Sequence, residues 1–590
     1  MGIPTFFRTI LQRNRKVLQG ARKNVIPVDY FYLDFNSIVY NVWHKISKTM
    51  KPDTGPIAVQ DILIEKVVEQ VRHMIKDIVC PTQYTYISID GTAPRAKSVQ
   101  QRSRRYKSIQ LKSLLAGKTV SNVDFDPSPN ITPGTVFMQK LSKAIQKMMA
   151  RGDCGYVLLS DASIPGEGEH KFLPRIKNMV RTPTEKDKTV VIYSPDGDMI
   201  SLGMLTHKKN IYIMRMPDEY SEVEKPFAED YEFIYCNLDI VRSDFYNDLT
   251  RTYQDTNIDE LKILTDYNFL LFMAGNDFVP SLHFMKIRHG GMKMLIRIYN
   301  DLRQKYKNYL VDYDVLDDKP PKINMEFFTD IVQMISIQET KELRAMQSMI
   351  HREQGGLMSA QRSEKEANMS ADEMYCSRLE HVALCNPDNP LRQQYKQHFK
   401  QIDYFQENHV WKMQFYKFYM DADTNDAGTY NQLRTRVVHN YFQSLMFTLY
   451  YYLNGCPSWT WCYRYRISPL FSDMYTVLTK HRYDLNAIRF TKDVPYTPYQ
   501  QLMFILPPQM SFLLPAPLGL LMKEEYKDYY PDDFEVDAAN GIKYIYSEAI
   551  LPELDEDKIL TDIRRIEETL PKQEKERNAI KTKIFSVKKK

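Results

Sequence analysis

Short apolar runs alternate with amphipathic stretches through the first half of the chain. DYFYLDFN (29–36) has no polar face and reads as a buried strand that closes on Asp34. Residues 57–79, IAVQDILIEKVVEQVRHMIKDIV, bring Ile62, Val67, Val71 and Ile75 to one side and predict an amphipathic helix. YTYISID (84–90) predicts a second strand, ending in Asp90, after which Gly91 and Pro94 turn the chain into a polar helix. Another helix is expected at 134–150 and a third strand at GYVLLSD (155–161). The glycine-punctuated turn PGEGEHK (165–171) then leads into a further helix, and TVVIYSPDGD (189–198) and NIYIMRM (210–216) supply the fourth and fifth strands. Strands that alternate with helices make an α/β fold with a parallel or mixed, doubly wound sheet flanked by helices. Such sheets bind their ligands outside the carboxyl ends of the strands.

After residue 300 the pattern changes. Residues 301–405 read as a helix-favouring, partly mobile linker, most plainly over 337–371, which is polar and poor in aromatics. Aromatics return at WKMQFYKFYM and NYFQSLMFTLYYYLN, which predict buried helices packed beside the sheet. The expected organisation is an α/β unit at 1–300, the linker at 301–405, a mostly helical unit at 406–556, and a charged helix fraying into a solvated basic tail at 557–590.

Composition supports that division. The 590 residues are 43% hydrophobic, 26% charged and 12% aromatic, enough for two or three core-forming units and unlike a disordered chain. Formal net charge is only +5, so any nucleic-acid surface must be local and set against acidic patches. The seven cysteines form no CxxC pair, which fits a reducing compartment and implies neither a zinc site nor a disulfide framework. MGIPTFFRTILQRNRK is too basic for a signal peptide, Phe6 stands where a myristoylation signal needs Ser or Thr, and no apolar run reaches membrane-spanning length. A monomeric, cytoplasmic protein is expected, with the nucleus as the alternative and no membrane partner. His351, His381 and His409 are isolated and read as surface or structural residues.

Acids sit where that fold would bind a ligand. Asp34, Asp90, Glu167, Glu169, Asp196 and Asp198 fall at or just past predicted strand ends, and Asp277 follows the apolar run YNFLLFM in AGNDFVP (274–280). Any one alone reads as a helix cap or a solvated turn acid. Seven along one sheet edge repel one another unless cations neutralise them. Oxygen-only ligands select Mg²⁺ or Mn²⁺, and the lack of convergent Cys or His argues against zinc. Two such ions clamp the attacking and leaving oxygens of a phosphodiester, so the set reads as that of a metal-dependent nuclease. Beside it, Lys97, Gln101, Arg104 and Arg105 stand at i, i+4, i+7 and i+8 and share one helix face. A basic face within about two turns of Asp90 suits a site where metal and phosphate meet.

The signatures MGIPTFFR (1–8), YLDFNSIVYN (32–41), IDGTAPRAKSVQQRSRRY (89–106), SDASIPGEGEHK (160–171), YSPDGDMISLGMLTH (193–207) and FLLFMAGNDFVPSL (269–282) resemble those of the Xrn family of 5′→3′ exoribonucleases. The resemblance resumes at 437–473, 500–515 and 529–541 and spans most of the chain, with a gap between roughly 300 and 400. It implies a PIN/FEN-like nuclease core at 1–300, walled by the second conserved region at 406–556 so that only single strands are admitted. It implies that Asp34, Asp90, Glu167, Glu169, Asp196, Asp198 and Asp277 hold the metals and that Lys97, Gln101, Arg104 and Arg105 hold a 5′-monophosphate, with no room for a cap or triphosphate. The implied substrate is decapped single-stranded RNA, supplied by a decapping activity and released as mononucleotides. Asn36 would help hold a ligand or the scissile phosphate.

Departures from the family pattern are few. Tyr40 stands where a base-stacking His is usual, and the PSWTW motif offers Trp461, favoured over Trp459, as the other half of the stack. Ser37 replaces a usual Gly, and SPDGD a usual LDAD, with the acids kept. Larger relatives continue past the end of this chain, so a compact form with the two conserved regions is expected. Two alternatives are a DNA-directed or flap-type nuclease and a catalytically idle RNA-binding scaffold.

Overall fold

The computed structural model describes residues 6–51, 54–115, 126–218, 221–250, 258–317, 319–359, 395–396, 402–537, 544 and 547–587. Thirteen strands are present among them. Those of the main sheet are β1 (Leu18–Gly20), β2 (Tyr30–Asp34), β3 (Tyr84–Ser88), β4 (Val157–Ser160), β5 (Val190–Tyr193), β6 (Ile211–Arg215), β7 (Ile234–Asn237) and β13 (Phe585–Ser586). Two small sheets use β8 (Val311–Asp312) with β9 (Lys322–Ile323), and β10 (Tyr395–Lys396) with β11 (Glu535–Asp537) and β12 (Glu548–Ile550).

The helices of the first half are α1 (Phe6–Arg13), α2 (Asn36–Ile46), α3 (Pro56–His73), α4 (Arg95–Leu115), α5 (Val136–Ala150), α6 (Gly168–Arg181) and α7 (Asp198–Leu205). They continue as α8 (Lys225–Asp230), α9 (Leu238–Thr250), α10 (Glu260–Met273), α11 (Gly291–Tyr306) and α12 (Met325–Ser359). The second half adds α13 (Asn408–Met420), α14 (Ala427–Asn454), α15 (Phe471–Lys480), α16 (Pro498–Ile505), α17 (Ala516–Lys523), α18 (Glu556–Thr569) and α19 (Lys572–Asn578).

The main sheet runs β1-β7-β6-β5-β2-β3-β4-β13. Its five inner strands, the five foreseen from sequence, are parallel. β2 is buried along its whole length because both its faces are covered. Tyr30 and Tyr32 enter the core built with α6, α7, α9 and α10, while Phe31 and Leu33 enter the one built with α2, α3 and α5. A strand covered on both sides shows no apolar alternation, which is why 29–36 reads as a continuous run. From β2 the chain winds outward through β3 and β4, then returns to pair β5 on the other side of β2. That reversal opens a crevice at the carboxyl ends of β2 and β5.

Three features add detail to the sequence-based expectation of a parallel or mixed sheet, a helical linker and a C-terminal helix with a basic tail. The sheet is mixed, because β7 and β1 extend one edge antiparallel and β13 pairs antiparallel with β4 on the other. These strands are two to four residues long, too short for a periodic signal. The segment expected as a helix-favouring, partly mobile linker is helical through Ser359, and Leu343, Met346 and Ile350 continue the buried face begun by Phe328, Ile331 and Ile335. Its buried Glu339 accepts hydrogen bonds from the Phe471 amide (2.5 Å) and the Ser472 hydroxyl (2.7 Å) at the start of α15. Residues 360–371 lie outside the described residues. Residues 581–587 of the tail reach the sheet edge, and 588–590 lie outside the described residues. Lys581 N–H bonds the Ser163 carbonyl at 2.9 Å before β13 forms, and Ile584 and Val587 pack against the two cores.

No helix among the described residues is long and apolar enough to cross a membrane. Cys80, Cys154, Cys236, Cys456 and Cys462 are free thiols, and Cys376 and Cys385 lie outside the described residues. His351 and His409 are exposed, and His381 also lies outside that set.

Candidate active site

The crevice collects all seven carboxylates named from sequence. Asp34 ends β2, and its Oδ2 accepts the Ser194 hydroxyl at 2.9 Å. Asp90 follows β3, with Oδ1 accepting the Gly168 amide at 2.6 Å and its own N–H directed at Asn36 Oδ1, 3.4 Å away. Glu167 and Glu169 flank Gly168 at the start of α6, and Asp196 and Asp198 enter α7 just past β5. Asp277 comes from beyond a helix, α10, in a turn where Asn276 Oδ1 accepts the amides of Phe278 (2.9 Å) and Val279 (2.8 Å).

Glycine makes the approach possible. A Cβ on Gly168 would lie 3.0 Å from Asp34 Oδ1, 3.2 Å from the Ser88 carbonyl and 3.3 Å from Asp90 Oδ1. At Gly91 it would meet the Ile164 carbonyl at 1.8 Å. The backbones of 91–92 and 166 are therefore in direct contact, with Gly91 N–H bonded to the Gly166 carbonyl (2.9 Å) and Gly166 N–H to the Thr92 carbonyl (2.8 Å). Lys171 secures the same junction from below by donating to the carbonyls of Ile89 (2.5 Å) and Asp161 (3.0 Å).

Burial and crowding of like charges govern the electrostatics. Burial, then Asp90 and Asp196, push Asp34 well above the ordinary carboxylate value. Burial and Glu167 likewise raise Asp90, against the Gly168 amide and Lys171. Glu169 is raised by burial, Glu167 and Asp34, and Asp198 reaches about 7 through burial, Asp196 and Asp277. The nearby lysines offset only part of this crowding, and a divalent cation would supply further counter-charge. Asp34, Asp90 and Glu169 present oxygens within 4.8 Å of one another, as do Glu167 and Glu169 with a nitrogen of His170. The first set, all oxygen, fits a hard cation such as Mg²⁺ or Mn²⁺.

Asp277 behaves differently because Lys97 reaches it. Burial works against ionisation there too, yet the ammonium holds Asp277 below the usual value. Lys97 Nζ lies 2.6 Å from Asp277 Oδ2 and 2.6 Å from Glu167 Oε2. Burial opposes its charge, but the two acids raise it well above an ordinary lysine. Gln100, one helical turn on, donates to the other Asp277 oxygen at 2.5 Å. Lys97 thus stands among the acids, separated from the arginines with which it shares a helix face.

Farther along α4, Gln101 Oε1 accepts from Gln501 Nε2 at 3.2 Å. Arg104 and Arg105 have no carboxylate partner among the described residues. Burial brings the Arg105 guanidinium down to about 10, and the charge of Arg104 adds to the effect. Tyr40, on α2, is 41% exposed, and its crowded hydroxyl is raised by burial while both arginines oppose the rise. Two guanidinium forks with no carboxylate partner among the described residues stand beside a partly exposed aromatic ring, a chemistry suited to an anion.

The second half of the chain fixes α4 in place. Arg102 donates to the carbonyls of Pro552 (2.7 Å) and Tyr529 (2.6 Å), Lys107 to that of Ser547 (2.6 Å), and Arg95 pairs with Glu556 at 3.0 Å. The Trp459 carbonyl accepts the Arg95 amide at 2.8 Å. Trp461 stacks on Phe447 at 4.8 Å and sets its edge against Phe490, so core packing already engages the ring favoured from sequence for base stacking.

Several contributors carried no sequence signal. Tyr451, from α14, donates to Glu167 Oε1 at 2.9 Å and stacks on His170 at 3.8 Å. It is one of three consecutive tyrosines, and nothing in LYYYLN distinguishes it. Ser194, Gln100 and Lys171 lie inside the quoted motifs, but only their neighbours belong to a residue class that suggests chemistry. His170, wedged behind Glu169, is held neutral by burial, which lowers it well below an ordinary imidazole.

Comparison with known proteins covers nearly the whole chain. A family profile described as "XRN 5'-3' exonuclease N-terminus" matches residues 1–217, and one described as "Xrn1 helical domain" matches 257–590. The chain is 26% identical over 98% of its length to 5'-3' exoribonuclease 2 of Gallus gallus, of which it spans 71%. It is 26% identical to 5'-3' exoribonuclease 1 of Saccharomyces cerevisiae, spanning 44% of that protein, and 26% identical to the 5'-3' exoribonuclease 2 homolog of Drosophila melanogaster, spanning 72%.

Proposed function

The chain belongs to the Xrn family of 5′-3′ exonucleases, and from that premise we propose that it is a 5′→3′ exoribonuclease acting on single-stranded RNA with a 5′-monophosphate. One observation carries the reading: a buried cluster of seven carboxylates lies next to two arginines that have no salt-bridged carboxylate among the described residues. An acid cluster alone would suit many metal enzymes. The adjoining anion pocket restricts the substrate to one that offers a terminal phosphate close to the bond being cut.

In this reading Arg104 and Arg105 grip the 5′-phosphate, with Gln101 beside them, and Tyr40 stacks on the first base. Asp34, Asp90 and Glu169 would hold one divalent cation, and Glu167, Asp196, Asp198 and Asp277 would complete the site for a second. When bound, such ions supply Lewis-acid stabilisation of the attacking and leaving oxygens. Ser194 and the Gly168 amide orient Asp34 and Asp90, Tyr451 orients Glu167, and release of a mononucleotide lets the strand advance into the same grip. The supplier of such RNA is a reaction that removes a cap or a pyrophosphate.

The test compares RNAs bearing 5′-monophosphate, hydroxyl, triphosphate or cap, and a matched DNA, each with Mg²⁺ and with EDTA. Rapid loss of the monophosphate RNA alone, halted by EDTA, is the expected result. Equal rates on all ends would remove the pocket from the reading. Asp198→Ala degrading RNA at the parental rate would remove the metal assignment.

A further inference from the structure

Lys97 is bonded to the wrong partners for a phosphate ligand. On α4 it shares a face with Gln101, Arg104 and Arg105, yet its ammonium is 2.6 Å from an oxygen of Glu167 and 2.6 Å from one of Asp277. The remaining oxygens of these acids are also engaged, Glu167 Oε1 by the Tyr451 hydroxyl and Asp277 Oδ1 by Gln100. This half of the cluster is therefore satisfied by protein donors. The other half is less so: Asp34, Asp90 and Glu169 converge within 4.8 Å, Glu169 has no ion pair among the described residues, Asp34 accepts the Ser194 hydroxyl and Asp90 the Gly168 amide. The cluster is asymmetric, with one part ready for a cation and one already holding the chain's own.

Resting on the metal-dependent exonuclease reading above, we propose that Lys97 is a stand-in cation which occupies the second metal's place in the unloaded protein. It leaves Glu167 and Asp277 as that ion is taken up, and its ammonium then turns along α4 to join Arg104 and Arg105 at the 5′-phosphate. Two consequences follow from charge balance. The second divalent ion binds more weakly than the first because it competes with a desolvated, doubly bonded ammonium. Loading the site and gripping the 5′-phosphate are mutually reinforcing, since one ammonium cannot serve both ends, and thermodynamic linkage makes the coupling reciprocal. The protein would thus complete its metal set most readily when a 5′-phosphorylated end is already in place.

The experiment measures Mn²⁺ binding to the full chain by calorimetry and by the electron paramagnetic resonance of free Mn²⁺. Parent, Lys97→Met and Arg105→Met are compared with no nucleic acid present. In the parent a tighter and a weaker site are expected; K97M should tighten the weaker one about tenfold, the scale of a lost charged hydrogen-bond pair. R105M removes the same charge away from the acids and should change it much less. A second measurement needs no variant. Amine-reactive labelling read by mass spectrometry should show Lys97 protected in EDTA, reactive in saturating Mn²⁺, and protected again when phosphate-terminated RNA is added with Mn²⁺. Unchanged Mn²⁺ affinity in K97M, or an equal gain in R105M, overturns the stand-in role, as does Lys97 labelling that ignores Mn²⁺. A parent that binds no Mn²⁺ at all overturns the metal reading itself, and the inference with it.

Discussion

Gly168→Ala tests the acid cluster with the smallest possible probe, a single methyl group. The added carbon would sit 3.0 Å from Asp34 Oδ1, 3.2 Å from the Ser88 carbonyl and 3.3 Å from Asp90 Oδ1, closer than ordinary contact at all three. None of the three is the free end of a flexible side chain. Asp34 is held by Ser194, and the Ser88 carbonyl accepts the Phe35 amide at 3.0 Å. Asp90 Oδ1 accepts the Gly168 amide itself. Relief requires either Asp34 or the first turn of α6 to move by a few tenths of an ångström, and that turn carries both Glu167 and Glu169. Overpacking of this kind costs about 1–3 kcal/mol, partly offset by the better helix propensity of Ala, so the melting temperature should fall by only a few degrees. Function should suffer far more. Mg²⁺ tolerates bond-length errors of about 0.2 Å, so the half-saturating Mg²⁺ concentration should rise roughly 10- to 100-fold while 5′-phosphate affinity at saturating Mg²⁺ stays near parental. Gly55→Ala, where a Cβ meets nothing within 4 Å, is the control. Real-time degradation of a monophosphorylated RNA across a Mg²⁺ titration gives the answer. Parental Mg²⁺ dependence in G168A would refute the close convergence of these acids.

Three other outcomes are expected. Tyr451→Phe keeps the ring stacked on His170 but deprives Glu167 of its hydroxyl donor, so Mg²⁺ affinity should drop about 10-fold or more with little change in melting temperature; no effect on either would exclude Tyr451 as an orienting residue. Burial and like charges raise Asp34, Asp90, Glu169 and Asp198, the last to about 7, so the metal-free folded state holds protons that the unfolded state releases near 4. Stability in EDTA should therefore fall as pH rises through about 7, and Asp198→Asn should flatten the slope; a stability that climbs from about pH 6 to 8 in EDTA, with the slope unchanged in D198N, would contradict this. Trp461→Ala, which breaks a stack on Phe447, should cost about 3–5 kcal/mol in unfolding experiments, whereas Trp459→Ala should cost less and act mainly on RNA affinity; the reverse pattern would make Trp461 the base platform.

What sequence alone revealed tracks what each residue must do locally. The strand ends at Asp34, Asp90 and Asp196 were legible because apolar runs covered on two sides stop abruptly at a carboxylate. Helix α4 was legible for the same kind of reason, its basic side chains recurring at helical spacing. Features that depend on distant partners were not. The hydroxyl of Tyr451 matters only because α14 delivers it to Glu167, 284 residues away in sequence. Similarly, β13 is a strand only because β4 offers an open edge. The stretch after Ile337 read as helix-favouring, but its buried face was not legible, because Leu343, Met346 and Ile350 are sparse apolar positions that matter only once a neighbouring helix covers them. Lys97 was placed on the correct helix face, but its rotamer answers to Glu167 and Asp277, which composition cannot weigh against a phosphate.

The bonds from Arg102, Lys107 and Arg95 to residues 529–556 have a bearing on how this protein can be divided. Residues 1–300 hold every acid and every arginine of the site, which invites their excision as a minimal nuclease. Such a fragment would keep the inventory and lose the ruler. In the proposed function helix α4 would set the spacing between phosphate grip and cleavage point, and three of its side chains are moored to the far half. Co-expression of the two halves as separate chains is therefore the route to a split, inducible nuclease, in which reassembly would restore the proposed measuring of the RNA end along with the cut.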